Sequence, residues 1–232
     1  MDKILQTVFD TPELYKLLVP EGINAYGIML GGSRFLNFDT DASDYDLNIL
    51  VSPSDYQKLE AEHNLRPSIY IGDVHIHWYY WPTNLRFFNF ESGSFAGLIW
   101  WTAAMLQGIT EKSFLKVIDE NGIKTFLNLY EKNQTLLKNL MKDKYYIYYN
   151  KLPQDDRLNN VIWKKTYLHL YIGSLVNNTT KQDFNAIKEI KKLTSDIEFP
   201  LNNKKTPVVK LSEEQLTLIK NLLNSLILWL KN

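Results

Sequence analysis

Two aspartates, Asp44 and Asp46, open the apolar segment Tyr45–Val51 within the stretch GGSRFLNFDTDASDYDLNILV, residues 31–51. A strand turns successive side chains to opposite faces, so acids at i and i+2 share a face. Tyr45, Leu47, Ile49 and Val51 then make an apolar face, and Asp44, Asp46 and Asn48 the other. Two carboxylates so placed can reach one metal cluster. Magnesium takes oxygen ligands and keeps positions for substrate phosphates. A pair of such ions roughly 4 Å apart can clamp the attacking and leaving oxygens of a phosphoryl transfer. Upstream, Gly31-Gly32 lets the backbone come close to a phosphate, and Ser33 adds a hydroxyl. A short helix starting there would turn free N–H groups toward a triphosphate. Arg34 follows directly, and a guanidinium can bind phosphate oxygens in two places at once.

Each half of this pattern is ordinary by itself. A lone Gly-Gly-Ser is usually a turn, and a lone Ser-Asp-Tyr-Asp is usually a solvated loop or a helix cap. The combination is more specific: an apolar strand, Gly-Gly-Ser, ten intervening residues, then Asp-x-Asp heading a second apolar strand. In this order the segment resembles the nucleotidyltransferase superfamily of DNA polymerase beta. That motif is Gly-Ser, a spacer and Asp-x-Asp, followed by a third acid on a neighbouring strand. The run GSR…SDYDL is similar to small bacterial and phage nucleotidyltransferases associated with RNA repair, in which a helical region follows the catalytic sheet. KKTYLHLYIGSL, residues 164–175, is similar to a helix of that region. The specific likeness covers residues 24–51. It implies a phosphate grip at Gly32 and Ser33, with Gly31 and Arg34 beside it, and divalent metal, Mg2+ or Mn2+, held by Asp44 and Asp46. It also implies ATP or another nucleoside triphosphate as substrate.

The chain departs from the family at the third acid. The next strand is VHIHWYY, whose corresponding face carries His75 and His77. Three readings stand. His77 or His75 replaces the acid as base or ligand, in which case imidazole suits manganese or zinc better than magnesium. Asp73, in the turn before the strand, or Glu91, beyond it, supplies the carboxylate. Or the third acid is missing and catalysis is weak or lost. For either histidine a structural place on a partly buried sheet face is the plain alternative.

These residues need elements to hold them. Residues 3–19 read as one amphipathic helix, ending before Pro20. Ala25–Leu30 has strand length, and Arg34–Phe38 is one or two helical turns. Pro53–Asn64 is a helix capped by Ser52 or Ser54. Ser68–Ile71 and Val74–Tyr80 form a hairpin about Gly72-Asp73. From about Ser94 the spacing becomes helical, over Phe95–Gln107, Lys112–Ile118, Ile123–Tyr149, Asn159–Val176, Gln182–Asp196 and Ser212–Leu230. The expected fold is therefore α/β (α+β). A small mixed sheet flanked by helices occupies residues 1–93, and a helical domain residues 94–232.

Composition bounds the rest. Hydrophobic residues make up 45% of the 232 and charged residues 22%, as in a globular protein. There is no cysteine, which excludes disulfides and thiolate metal sites. Asp10 and Glu13 interrupt the N-terminal segment where a signal peptide would be apolar, and no apolar run is long enough to span a bilayer. A cytoplasmic protein with no membrane partner is the expectation. The 26 basic and 26 acidic residues balance, yet residues 1–112 hold 7 Lys and Arg against 14 Asp and Glu, and the remainder the reverse excess. Lys164, Lys165, Lys188, Lys191 and Lys192 could meet phosphates of an RNA acceptor, or be solvated helix surface. The aromatic runs Trp78–Trp81, Trp100-Trp101 and Tyr145–Tyr149 could stack bases but are more often core. The reading is a nucleotidyltransferase that moves a nucleoside monophosphate to RNA, a protein or a small molecule and releases pyrophosphate. The alternative is a degenerate form of that fold that binds a nucleotide or a partner, as in a toxin–antitoxin pair.

Overall fold

The alternation in Tyr45–Val51 becomes the middle of a five-stranded mixed sheet. In the computed structural model, which describes residues 2–35, 43–62, 67–84, 102, 104–105, 108–151 and 210–229, the first elements are helices α1 (Lys3–Asp10) and α2 (Pro12–Leu18). Strand β1 (Ala25–Leu30), the single turn α3 (Gly32–Phe35), strand β2 (Tyr45–Val51) and helix α4 (Pro53–Ala61) follow. The hairpin is β3 (Ser68–Ile71) and β4 (Val74–Pro82), and a 3-10 turn (Glu111–Ser113) leads into β5 (Phe114–Val117). Helices α5 (Glu120–Lys132), α6 (Gln134–Lys151) and α7 (Glu213–Trp229) complete the described elements. The strand order is β3-β4-β2-β1-β5. Only the β2–β4 pair is parallel; β1–β2, β1–β5 and β3–β4 are antiparallel. The mixed sheet with flanking helices, and helices after it, is as the sequence implies.

One face of the sheet is the core. Tyr45, Leu47, Ile49 and Val51 of β2 and Ile76, Trp78 and Tyr80 of β4 are all buried, packed with Leu5, Val8 and Phe9 of α1 and Leu59 of α4. Burying each such side chain is worth about 1.5–3 kcal/mol. The alternation thus dictates which face carries Asp44, Asp46, His75 and His77: the one opposite this core. Trp78 and Tyr80 are core residues, and the Trp78 indole N–H donates to the Tyr80 hydroxyl at 3.1 Å.

Three local expectations are corrected. The first helix is two, because Pro12 starts a new one and Thr11 before it is extended, at φ −93° and ψ 111°. A residue preceding proline is driven out of the helical region. Lys112–Ile118 is not a helix. Thr110 and Ser113 cap a 3-10 turn, and Phe114–Val117 pairs with β1 as an edge strand. Four residues, of which Phe114, Leu115 and Val117 are apolar, are too few for periodicity to separate strand from helix. Ile123–Tyr149 is two helices separated at Asn133.

The chain separates into two compact units, Met1–Asn89 with Gln107–Gln134, and Phe90–Leu106 with Thr135–Asn232. β5 and α5 thus belong with the sheet. In the second unit, Leu137, Met141 and Tyr145 are buried along α6, and Ile219, Leu223 and Ile227 along α7. Thr102 and the Tyr145 hydroxyl share a hydrogen bond of 2.7 Å there. Ser212 accepts from the Gln215 N–H and the Gln215 side chain accepts from the Ser212 N–H, capping α7 as its sequence implies. No helix among the described residues is long and apolar enough to cross a membrane.

Candidate active site on the sheet

The site is assembled by strand pairing. β1 runs antiparallel to β2, with Met29 opposite Asn48 and Leu30 opposite Leu47. Continuing that register brings Gly31 opposite Asp46, and the Gly31 N–H donates to the Asp46 carbonyl at 2.6 Å. The chain then turns sharply into α3. Gly32 sits at φ +57°, a left-handed conformation that L side chains rarely adopt. The Asp46 carboxylate lies directly against Gly32, in the volume a Cβ there would take. Gly31 is also crowded, since a Cβ would come within 2.5 Å of the Asn48 side-chain nitrogen. The Gly-Gly turn and the second acid of Asp-x-Asp are thus in direct apposition. Ser33 is within α3.

On the other side of β2, the parallel register with β4 sets Asp46 beside His77 and Tyr45 beside Ile76. The same register brings His75 next to Asp44. His77 Nε2 lies 3.5 Å from Asp44 Oδ2. One ligand atom from each of Asp44, His75 and His77 falls within 4.8 Å of the other two, the one such group among the described residues. The two imidazoles are tilted at 55° with centroids 3.8 Å apart. Tyr70 of β3 stacks flat on His75, at 4.1 Å and 2°. The Asp44 and His77 side chains are 44% and 31% exposed, which leaves both open to an incoming ion.

The structure places the sequence-derived candidates unequally. Asp44, His75 and His77 come together. Asp46 shares their face, but its carboxylate is at Gly32 and is not one of the three. Asp73 lies in the β3–β4 turn beside Gly72 and does not join the cluster. Glu91 lies outside the described residues, as do the lysines at 164, 165, 188, 191 and 192 and the helix similarity at 164–175. Arg34 has local work. Its Nε donates to the Asp44 carbonyl at 3.1 Å and one Nη to the Ser43 carbonyl at 2.6 Å, and its guanidinium lies 3.8 Å from the centre of the Tyr45 ring. It pins the backbone that enters β2.

Two contributors carry no role in the sequence reading. Asn48 continues the Asp44, Asp46 face but is buried, and its amide nitrogen has no hydrogen-bond partner among the described residues. It lies under the Gly31 turn, and a buried unpaired donor costs about 1–3 kcal/mol. The two-residue period of β2 was the available signal for it. Tyr70 positions His75, a contact that only the hairpin register reveals. Compared with known proteins, the chain matches no family model and no curated protein.

Proposed function

We propose that the protein is a metal-dependent nucleotidyltransferase that moves a nucleoside monophosphate from a nucleoside triphosphate, such as ATP, to an acceptor hydroxyl and releases pyrophosphate. The observation that carries this reading is the apposition of Gly32 and Asp46, a glycine turn set against the second acid of an Asp-x-Asp strand. A turn of two glycines admits a phosphate group to the backbone, and a side chain at Gly32 would have to displace the Asp46 carboxylate. The likeness of residues 24–51 to nucleotidyltransferases supports the same chemistry.

Asp44 and Asp46 would supply oxygen donors from one face of the sheet, the ligand type that Mg2+ or Mn2+ takes. When bound, such a cation neutralises the triphosphate and the charge that develops on transfer. The chain's own residues would bind and orient. The Gly31–Ser33 turn would hold the β- and γ-phosphates, and Arg34 would keep Asp44 in register. His77, whose Nε2 lies 3.5 Å from Asp44 Oδ2, or His75 would stand in for the third acid, as base or as ligand. The acceptor oxygen would bond to the α-phosphorus as the bond to the β-phosphate oxygen breaks. RNA, a protein hydroxyl or a small molecule can serve as acceptor, in a cytoplasmic setting with no membrane partner.

One observation favours a second reading. The cluster beside Asp44 holds imidazoles and no second carboxylate among the described residues. A fold without its third acid could bind nucleotide or a partner without turnover, as one half of a toxin–antitoxin pair. An assay with α-labelled triphosphates, Mg2+ or Mn2+ and pooled RNA and protein acceptors separates the two. Label transfer with pyrophosphate release supports the enzyme, triphosphate binding without transfer supports the binding module, and absence of both removes the nucleotide altogether.

A further inference from the structure

We infer that Asp44, His75 and His77 form a binding site for a borderline first-row divalent cation, of the zinc, cobalt or nickel class, in preference to magnesium. The donor set is one carboxylate oxygen and two imidazole nitrogens. Magnesium takes oxygen ligands and sheds its water reluctantly, whereas imidazole suits the later first-row metals. The geometry agrees. Ligand atoms about 2.1 Å from a tetrahedral ion lie roughly 3.4 Å apart, and the Asp44–His77 pair stands at 3.5 Å. The group as a whole lies within 4.8 Å, so a small closing movement, chiefly of the exposed Asp44 side chain, completes it.

The surroundings prepare these ligands. The parallel β2–β4 register fixes His77 beside Asp46, and Arg34 holds the carbonyls of Ser43 and Asp44, which brings Asp44 onto the strand end beside the two histidines. Tyr70, flat against His75, holds that ring before any ion arrives. Side chains that are already ordered lose less freedom on binding. Three protein ligands leave at least one position for water or a phosphate oxygen, as in catalytic rather than structural sites. The inference shares its site with the transfer reading and rests on it only for what the cation does. Binding itself depends on the three side chains alone.

The test is titration of the full-length chain with Co2+ alone, followed by visible absorption, with Zn2+ and Mg2+ as competitors. One Co2+ per chain is expected, with the absorption band of nitrogen- and oxygen-bound cobalt. Zn2+ should displace it, and a hundredfold excess of Mg2+ should not. His75→Ala, His77→Ala and Asp44→Asn should each weaken binding at least tenfold with unchanged circular dichroism. Asp46→Asn should retain cobalt while losing triphosphate affinity. The inference is overturned if no stoichiometric Co2+ binds, if Mg2+ displaces it at equal concentration, or if binding survives His75→Ala/His77→Ala and is lost in His63→Ala or His169→Ala. Cobalt binding with no triphosphate affinity would sink the transfer reading and leave this site standing. Mg2+-dependent triphosphate binding without cobalt binding would do the reverse.

Discussion

The Asp46 carboxylate occupies the space that a side chain at Gly32 would need, and Gly32 holds φ +57° to make that contact. Strand β2 and the turn after β1 are thereby locked to each other at the centre of the candidate site.

Gly32→Ala should cost more than its backbone strain. The left-handed conformation costs an L residue about 1–2 kcal/mol. Gly72 provides the control, because it has φ +59° and nothing within 4 Å of where a Cβ would stand. Urea unfolding of both variants should show Gly72→Ala losing about that amount and Gly32→Ala losing clearly more. Equal losses would mean that Asp46 simply swings away.

Asp46→Asn should weaken binding of Mg2+ and triphosphate at least tenfold, about 1.4 kcal/mol, in calorimetric titration. The amide keeps the shape against Gly32, so the midpoint of thermal unfolding should stay within a few degrees. Unchanged affinity would remove Asp46 from the site.

Arg34→Lys keeps the charge but not the fork that reaches the Ser43 and Asp44 carbonyls and the Tyr45 ring. We expect Co2+ binding at Asp44 to weaken several-fold, because residues 43–44 lose their anchor. If only triphosphate affinity falls and cobalt binding is intact, Arg34 touches phosphate rather than holding the strand.

Asp55 governs the acid limb of stability. It is fully buried at the start of α4, where it accepts from the Asn24 N–H and side-chain amide, both at 2.9 Å, and from Ser52 Oγ and Lys58 Nζ, both at 2.7 Å. Burial alone would push its carboxyl up, but the hydrogen bonds from Lys58, Ser52 and Asn24 together hold it well below the usual carboxylate range. A carboxyl lowered in the folded state stabilises above its unfolded pKa of about 3.9 and loses that contribution as the pH falls further. Wild-type stability should therefore decline as the pH falls below about 4, and Asp55→Ala should be flatter there. At neutral pH that variant should lose about 1–3 kcal/mol, since it leaves the Asn24 and Ser52 donors without their acceptor. An unchanged acid slope would refute the assignment.

Much of the sheet can be read from the chain because two-residue alternation reports directly which side chains face the core. Ala25–Leu30, Tyr45–Val51 and the hairpin of Ser68–Ile71 with Val74–Tyr80 stand where their patterns put them, the last strand running on to Pro82. The break at Pro12 is equally local and follows from the proline ring. Alternation also places Asp44 and Asp46 on one face, and glycine at positions 31 and 32 announces a close approach. What it cannot report is the neighbour across the sheet. That His75 and His77 stand beside Asp44 follows from the parallel β2–β4 register, reached only after α4 and β3 have intervened. Likewise the short run Phe114–Val117 becomes a strand because β1 offers it an edge to pair with. The Asp46 carboxylate turns to Gly32, and Arg34 to the carbonyls of residues 43 and 44, through contacts that exist only once the chain has closed. Residue type and spacing determined which groups could act. Long-range pairing decided which of them meet, because a periodic pattern encodes a face and carries no information about the partner.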